Sequence, residues 1–85
     1  MAFGIEWSER AERTLSKLPR RISSQIARRV DSIRDNPFHY LEHYEGEDVY
    51  KLRIGEYRAL IDVDFSNKIL KVRIVGHRRN IYKKP

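Results

Sequence analysis

Apolar and polar residues alternate singly at both ends of this chain and follow a helical period between them. Phe3, Ile5 and Trp7 alternate with Gly4 and Glu6, which predicts a short first strand with one buried face. Ser8 then stands as an N-cap, with Glu9 in the first helical turn where the helix dipole favours an acid. Ala11, Leu15 and Leu18 recur at helical spacing while Arg10, Arg13 and Lys17 fall between them. Leu18-Pro19 breaks this helix, because proline disfavours helical backbone at the residue before it and suits the opening turn of a new helix. Ile22, Ile26, Val30 and Ile33 carry the stripe of a second helix until Asn36-Pro37 stops it. Two helices joined this closely form an αα-hairpin.

From residue 38 to 48 the periodicity fails, and the stretch reads as a connecting loop, aromatic enough to pack down. Three strands follow, over residues 49–54, 57–65 and 69–75. Gly55-Glu56 and Ser66-Asn67-Lys68 are the turns between them, so the strands should run as an antiparallel meander. The period of two assigns Tyr50, Leu52, Ile54, Ala59, Ile61, Val63, Leu70, Val72 and Ile74 to a core face. The other face takes Lys51, Arg53, Arg58, Leu60, Asp62, Lys71 and Arg73. The expected fold class is α+β: an N-terminal strand, an αα-hairpin and a three-stranded antiparallel meander, four strands in all, with the helices packed on one face. Eighty-five residues support one core, hence a single domain over residues 1–85.

Charge singles out the last third of the chain. Residues 1–48 hold eight Lys/Arg and nine Asp/Glu, a balance of −1; residues 49–85 hold ten against three, a balance of +7. That is the footprint of a polyanion binder, the alternative being an ordinary solvated surface. The absence of cysteine excludes a disulfide framework and thiolate chemistry. Neither a secretory signal nor a membrane span is present in the pattern, so the cytoplasm is expected, with no membrane partner.

Lys51, Arg53, Arg58, Arg78 and Arg79 are the candidate site residues, since guanidinium forks bind phosphate oxygens bidentately and stabilise the charge that builds in phosphoryl transfer. Taken singly, each also fits a solvated sheet face. Tyr82 could stack on a base, shuttle a proton or close the core; His77 could act as acid, base or phosphate donor. Lys71 and Arg73 extend the cationic face and, with Arg79, are the RNA-binding candidates. His39 and His43 stand i, i+4, but Pro37 and the aromatic loop argue against the helix a zinc pair would need. Glu45, Glu47 and Asp48 read as loop residues, with a carboxylate at the edge of the basic face as a further candidate base. There is no glycine-rich phosphate loop and no nucleophile elbow; no metal or cofactor is expected.

The segments Tyr50-Lys51-Leu52-Arg53, Gly55-Glu56-Tyr57-Arg58 and Gly76-His77-Arg78-Arg79-Asn80-Ile81-Tyr82, in this order of elements, resemble the RelE/ParE toxin superfamily, in particular its RelE branch. The resemblance covers nearly the whole chain. It implies a toxin of a type II toxin–antitoxin pair, a metal-independent endoribonuclease that enters the ribosomal A site, cuts mRNA there and inhibits translation. A cognate antitoxin is then implied, with operator DNA bound only as a complex with it. By the resemblance, Lys51 and Arg53 bind phosphate and abstract a proton, Arg58 and Arg78 stabilise the phosphorane, and Tyr82 orients the substrate base. Arginine stands at position 53 where the family's best-studied branch has lysine, and it is a poor proton acceptor; the base then falls to Lys51 or His77. A ParE-like gyrase poison and a non-catalytic module that docks an antitoxin or operator DNA are the alternative functions on the same fold.

Overall fold

The computed structural model describes residues 2–46 and 48–81, and of Glu45 the backbone alone. The expected Tyr82, the side chain of Glu45, Glu47 and the Lys83-Lys84-Pro85 tail lie outside the described residues. In chain order the elements are β1 (Gly4–Trp7), α1 (Glu9–Lys17), α2 (Arg20–Ser32), a 3₁₀ turn (Pro37–His39), β2 (Glu42–Glu45), β3 (Val49–Ile54), β4 (Tyr57–Asp64) and β5 (Ile69–His77). The strands make one sheet in the order β1-β5-β4-β3-β2, with β1 parallel to β5 and the remaining pairs antiparallel. Both helices lie on one face, α1 over β5 and α2 over β3.

Local chemistry explains the helical boundaries. Ser8 caps α1, its hydroxyl accepting the Ala11 N–H at 3.0 Å and donating to the Arg73 carbonyl at 2.6 Å, so one side chain both starts the helix and ties it to β5. Leu18 is extended (φ −90°, ψ 154°) because Pro19 follows it, and α2 starts at the next residue. The helical stripes place Ala11, Ile26, Val30 and Ile33 against Leu52, Ile61, Leu70 and Val72, all fully buried. Removing such an aliphatic side chain from water stabilises by about 1.5–3 kcal/mol each, and this core fixes which sheet face remains open.

The sheet departs from expectation in two places. It has five strands instead of four, because part of the expected loop, Glu42–Glu45, pairs with β3 through Glu42↔Lys51 and His43↔Tyr50, with a bulge before Glu45. A short, charged, bulged edge strand lacks the alternation that announces a strand, and those same features protect an edge from further pairing. At the start of that loop Phe38 packs down as anticipated: it stacks on Phe65 (5.5 Å, 9°) and meets Phe3 and Tyr50 edge-on.

The second departure is a bulge between β4 and β5. Ile61 pairs with Val72 but Leu60 pairs with Ile74, which leaves Arg73 as the extra residue. Side-chain parity flips across it. Val75, at 4% exposure, therefore takes the core place expected of Ile74, and Ile74 turns to the open face beside Leu60.

Candidate active site

The register of three strands assembles the open face. The row Glu42–Lys51–Leu60–Ile74 crosses β2, β3, β4 and β5, and next to it runs the row Arg53–Arg58–Gly76. Arg53 and Arg58 are direct cross-strand partners two residues from the hairpin tip, where Gly55 takes φ +58° and lets the chain reverse in two residues. Like charges opposed in this way repel by several tenths of a kcal/mol, so stability alone does not account for them.

Most cations of this face have carboxylate neighbours. Glu42 approaches both Lys51 Nζ (3.6 Å) and Arg53 Nε (3.9 Å). Lys71 lies 3.8 Å from Asp64 and Arg73 lies 3.4 Å from Asp62, so two of the three expected RNA-binding residues pair with acids farther from the tip. Arg58 makes no ion pair among the described residues; its guanidinium donates to the Gly55 and Tyr57 carbonyls, each at 2.8 Å, which fixes it at the tip. Arg78 sits at the same end: its N–H donates to the Glu56 carbonyl (2.8 Å) and its Nε lies 3.0 Å from the Glu56 carboxylate. Arg79 is exposed beyond it. Asp64 has its carboxyl pulled below the usual carboxylate range, first by hydrogen bonds from the Asn67 side chain and backbone, with Lys71 adding a smaller attraction; it organises the β4–β5 turn, where Lys68 takes φ +56°.

His77 stands apart from this cluster. It is registered opposite Tyr57, on the parity of Ala59, and its ring packs edge-on against Tyr57 at 5.5 Å on the helix side of the sheet. Its Nδ1 accepts the Arg79 N–H at 3.2 Å, which assigns the neutral ring's proton to Nε2. Lys51, Arg53, Arg58 and Arg78 are therefore together at one end of the open face, while His77 faces the other way. His39 and His43 fall on the 3₁₀ turn and on β2, so no helix aligns them.

Glu42 is the site residue that the residue pattern does not single out. Its neighbours in the loop are candidates there, and only the pairing of β2 shows that parity aims Glu42 at the cations. Gly76 completes the arrangement, since the turn after β5 folds back and sets Ile81 over it, 3.5 Å from where a Cβ would stand. Asn80 and Ile81 hold that turn by donating to the His77 carbonyl. Leu60, Ile74 and Ile81 thus form an apolar strip alongside the Arg53–Arg58 row.

Three motif segments, one basic hairpin tip and helices over the far face match a known pattern. The model of the ParE toxin family, the toxin of the type II toxin–antitoxin system parDE, fits residues 5–82. The chain belongs to this family. It is thereby a type II toxin of the RelE/ParE superfamily. A curated chain of Methanocaldococcus jannaschii assigned by name to the RelE toxins (RelE1) is 27% identical over 90 residues, covering 100% of both chains. Among solved structures, the RelBE2 toxin–antitoxin complex of Mycobacterium tuberculosis contains a chain that superposes with TM-score 0.83 at 23% identity, over 92% of this chain and 100% of that one. The archaeal RelE–RelB complex of Pyrococcus horikoshii OT3 gives TM-score 0.80 at 21% identity, over 94% and 99%. At such identities the structural matches carry the fold: a mixed α+β domain with two helices on a five-stranded sheet. Among the described residues no helix is long and apolar enough to cross a membrane.

Proposed function

We propose that this family member is a ribosome-dependent endoribonuclease that cleaves mRNA in the A site. The observation that carries the reading is the opposed pair Arg53↔Arg58 at the hairpin tip, with Arg78 beside it and Lys51 in the next row. A phosphate placed over the pair would remove its repulsion and accept paired N–H donors. The ribose 2′-oxygen attacks the adjacent phosphorus, forming the O2′–P bond as the P–O5′ bond breaks; this leaves a 2′,3′-cyclic phosphate and a 5′-oxygen that takes a proton from water to become the 5′-hydroxyl. Arg58 and Arg78 stabilise the phosphorane charge. Arg53 stays protonated and acts on phosphate oxygens. The Lys51–Glu42 pair, the titratable pair adjoining that row, receives the 2′-hydroxyl proton. The Leu60–Ile74–Ile81 strip provides an apolar seat for a base, and Tyr82 follows directly in sequence. His77, packed on Tyr57 on the helix side, serves as a structural brace.

A cognate antitoxin is the expected partner, in keeping with the complexes in which the structural neighbours were solved. Its absence from the cell should make the toxin arrest growth. Primer extension on mRNA from cells expressing the toxin alone is the test. Cuts in register with A-site codons are expected. A second reading, the gyrase poisoning that a resemblance to the ParE branch implies, accompanies the match to the ParE toxin family; intact mRNA together with accumulating gyrase–DNA cleavage complexes would establish it in place of the first.

A further inference from the structure

One residue organises the turn that follows β5. Three successive backbone N–H groups end on His77: Arg79 donates to its Nδ1 at 3.2 Å, and Asn80 and Ile81 donate to its carbonyl at 2.8 and 3.0 Å. An acceptor two residues ahead of the N–H it receives is the arrangement that asparagine and aspartate side chains supply in turns. Histidine adds a ring to that acceptor. Its edge-on contact with Tyr57 at 5.5 Å fastens the turn to β4, at the residue before Arg58.

Arg78 stands inside this turn. Its N–H donates to the Glu56 carbonyl at 2.8 Å, so its backbone is held by the hairpin tip on one side and by His77 on the other. Its side chain is held less firmly. The Arg78–Glu56 pair, at 3.0 Å, has side-chain exposures of 51% and 62%, and ion pairs this exposed restrain a side chain weakly. The direction in which the guanidinium leaves the sheet is therefore set by the backbone beneath it, and that backbone is set by the acceptor on His77. The ring itself lies on the helix side, away from a phosphate at the tip.

We propose that His77 is a positioning residue for RNA cleavage, whose Nδ1 shapes the turn that aims Arg78 at the scissile phosphate. The role rests on the nuclease reading of the open face, and no proton passes through the ring. Three variants separate the acceptor from the ring. His77→Asn keeps an acceptor for the Arg79 N–H and removes the ring; His77→Phe keeps a ring for Tyr57 and removes the acceptor; His77→Leu, close to asparagine in size, removes both. Single-turnover cleavage of mRNA on programmed ribosomes at saturating toxin gives the rate constants, and thermal melts rank the stabilities of the same proteins. His77→Asn should keep most of the parental rate, whereas His77→Phe and His77→Leu should lose about 10²-fold, the cost of misplacing a reacting group by about 1 Å. Melting temperatures should follow the ring instead, with His77→Phe above the other two; if that variant fails to fold, the asparagine–leucine comparison decides alone. In an Arg78→Ala background His77→Phe should add little further loss, because the group it aims is gone. Equal losses in all three variants would show proton transfer by the ring and overturn the proposal. Rates that rank with the melting temperatures, or an undiminished loss in the Arg78→Ala background, would overturn it too. A parent that leaves mRNA intact would sink the nuclease reading and this role with it, whereas normal parental cleavage with all three variants unaffected would overturn the role alone.

Discussion

Glu42 offers a quantitative handle on the open face. Its carboxylate lies 3.6 Å from Lys51 Nζ and 3.9 Å from Arg53 Nε, with side-chain exposures of 53%, 28% and 67% for Glu42, Lys51 and Arg53. Pairs this exposed contribute about 0.2–1 kcal/mol after screening, so Glu42→Gln should cost no more than about 1 kcal/mol, or roughly 4–8 °C in Tm. The effect on binding should be larger and opposite in sign, because Glu42 competes with phosphate for both cations. Each phosphate neutralised on a single strand contributes about 0.7 to the salt slope, about a fivefold gain at 0.1 M salt relative to 1 M. If one or two such interactions strengthen, affinity for an uncleavable 2′-O-methyl single strand rises about 5- to 25-fold, with a slope steeper by about 0.7–1.4. Anisotropy titration at several salt concentrations measures both quantities. Unchanged or weaker binding at an unchanged slope would refute the claim that Lys51 and Arg53 grip phosphate.

Other consequences follow from the packing. Val75→Lys should unfold the domain, since Val75 is 4% exposed and an unpaired buried charge costs several kcal/mol; Ile74→Lys should fold, and circular dichroism with thermal melts separates the two. Ser8→Ala removes the cap of α1 and its tie to the Arg73 carbonyl, for an expected loss of about 0.5–2 kcal/mol in urea unfolding. The Asp64 carboxyl is held below its ordinary value, so its contribution to stability is complete above the unfolded carboxylate value of about 3.9 and is lost as pH falls through the lower folded value. Unfolding free energies measured from pH 5 downward should therefore decline less in Asp64→Asn than in the parent.

The helices and the meander are legible in the sequence because each has a clean period. The stripes Ala11-Leu15-Leu18 and Ile22-Ile26-Val30-Ile33, the cap at Ser8, the break at Pro19 and the turn at Gly55 all act locally, and local signals survive in one dimension. β2 is not legible, because Glu42–Glu45 is a bulged, charged edge whose pairing depends on β3 instead of on its own propensity. The bulge at Arg73 is equally hidden, as an inserted residue leaves alternation intact on both sides and changes only its phase. Both features bear on the site. Without β2 the carboxylate beside Lys51 and Arg53 is invisible, and without the bulge the open face lacks Ile74 and gains a false core position. Halving the chain for charge conceals a third feature, since the acids at residues 35–48, which belong to neither helix, offset the cations of α1 and α2 in the sum. Lys51, Arg53, Arg58 and Arg78, by contrast, follow from strand parity and motif spacing, and the structure brings these four to one end of the sheet. The separation of His77 from them depends on its register opposite Tyr57.

The most direct measurement is the single-turnover rate of mRNA cleavage on programmed ribosomes by the parent and by Arg58→Ala. Arg58 sits at the tip with its guanidinium fixed by the Gly55 and Tyr57 carbonyls and is assigned to the developing phosphorane charge. Loss of one such donor should lower the rate constant about 10²–10³-fold, with the fold and ribosome binding retained. Equal rates for the two proteins would contradict the account, as would a parent that leaves A-site mRNA intact.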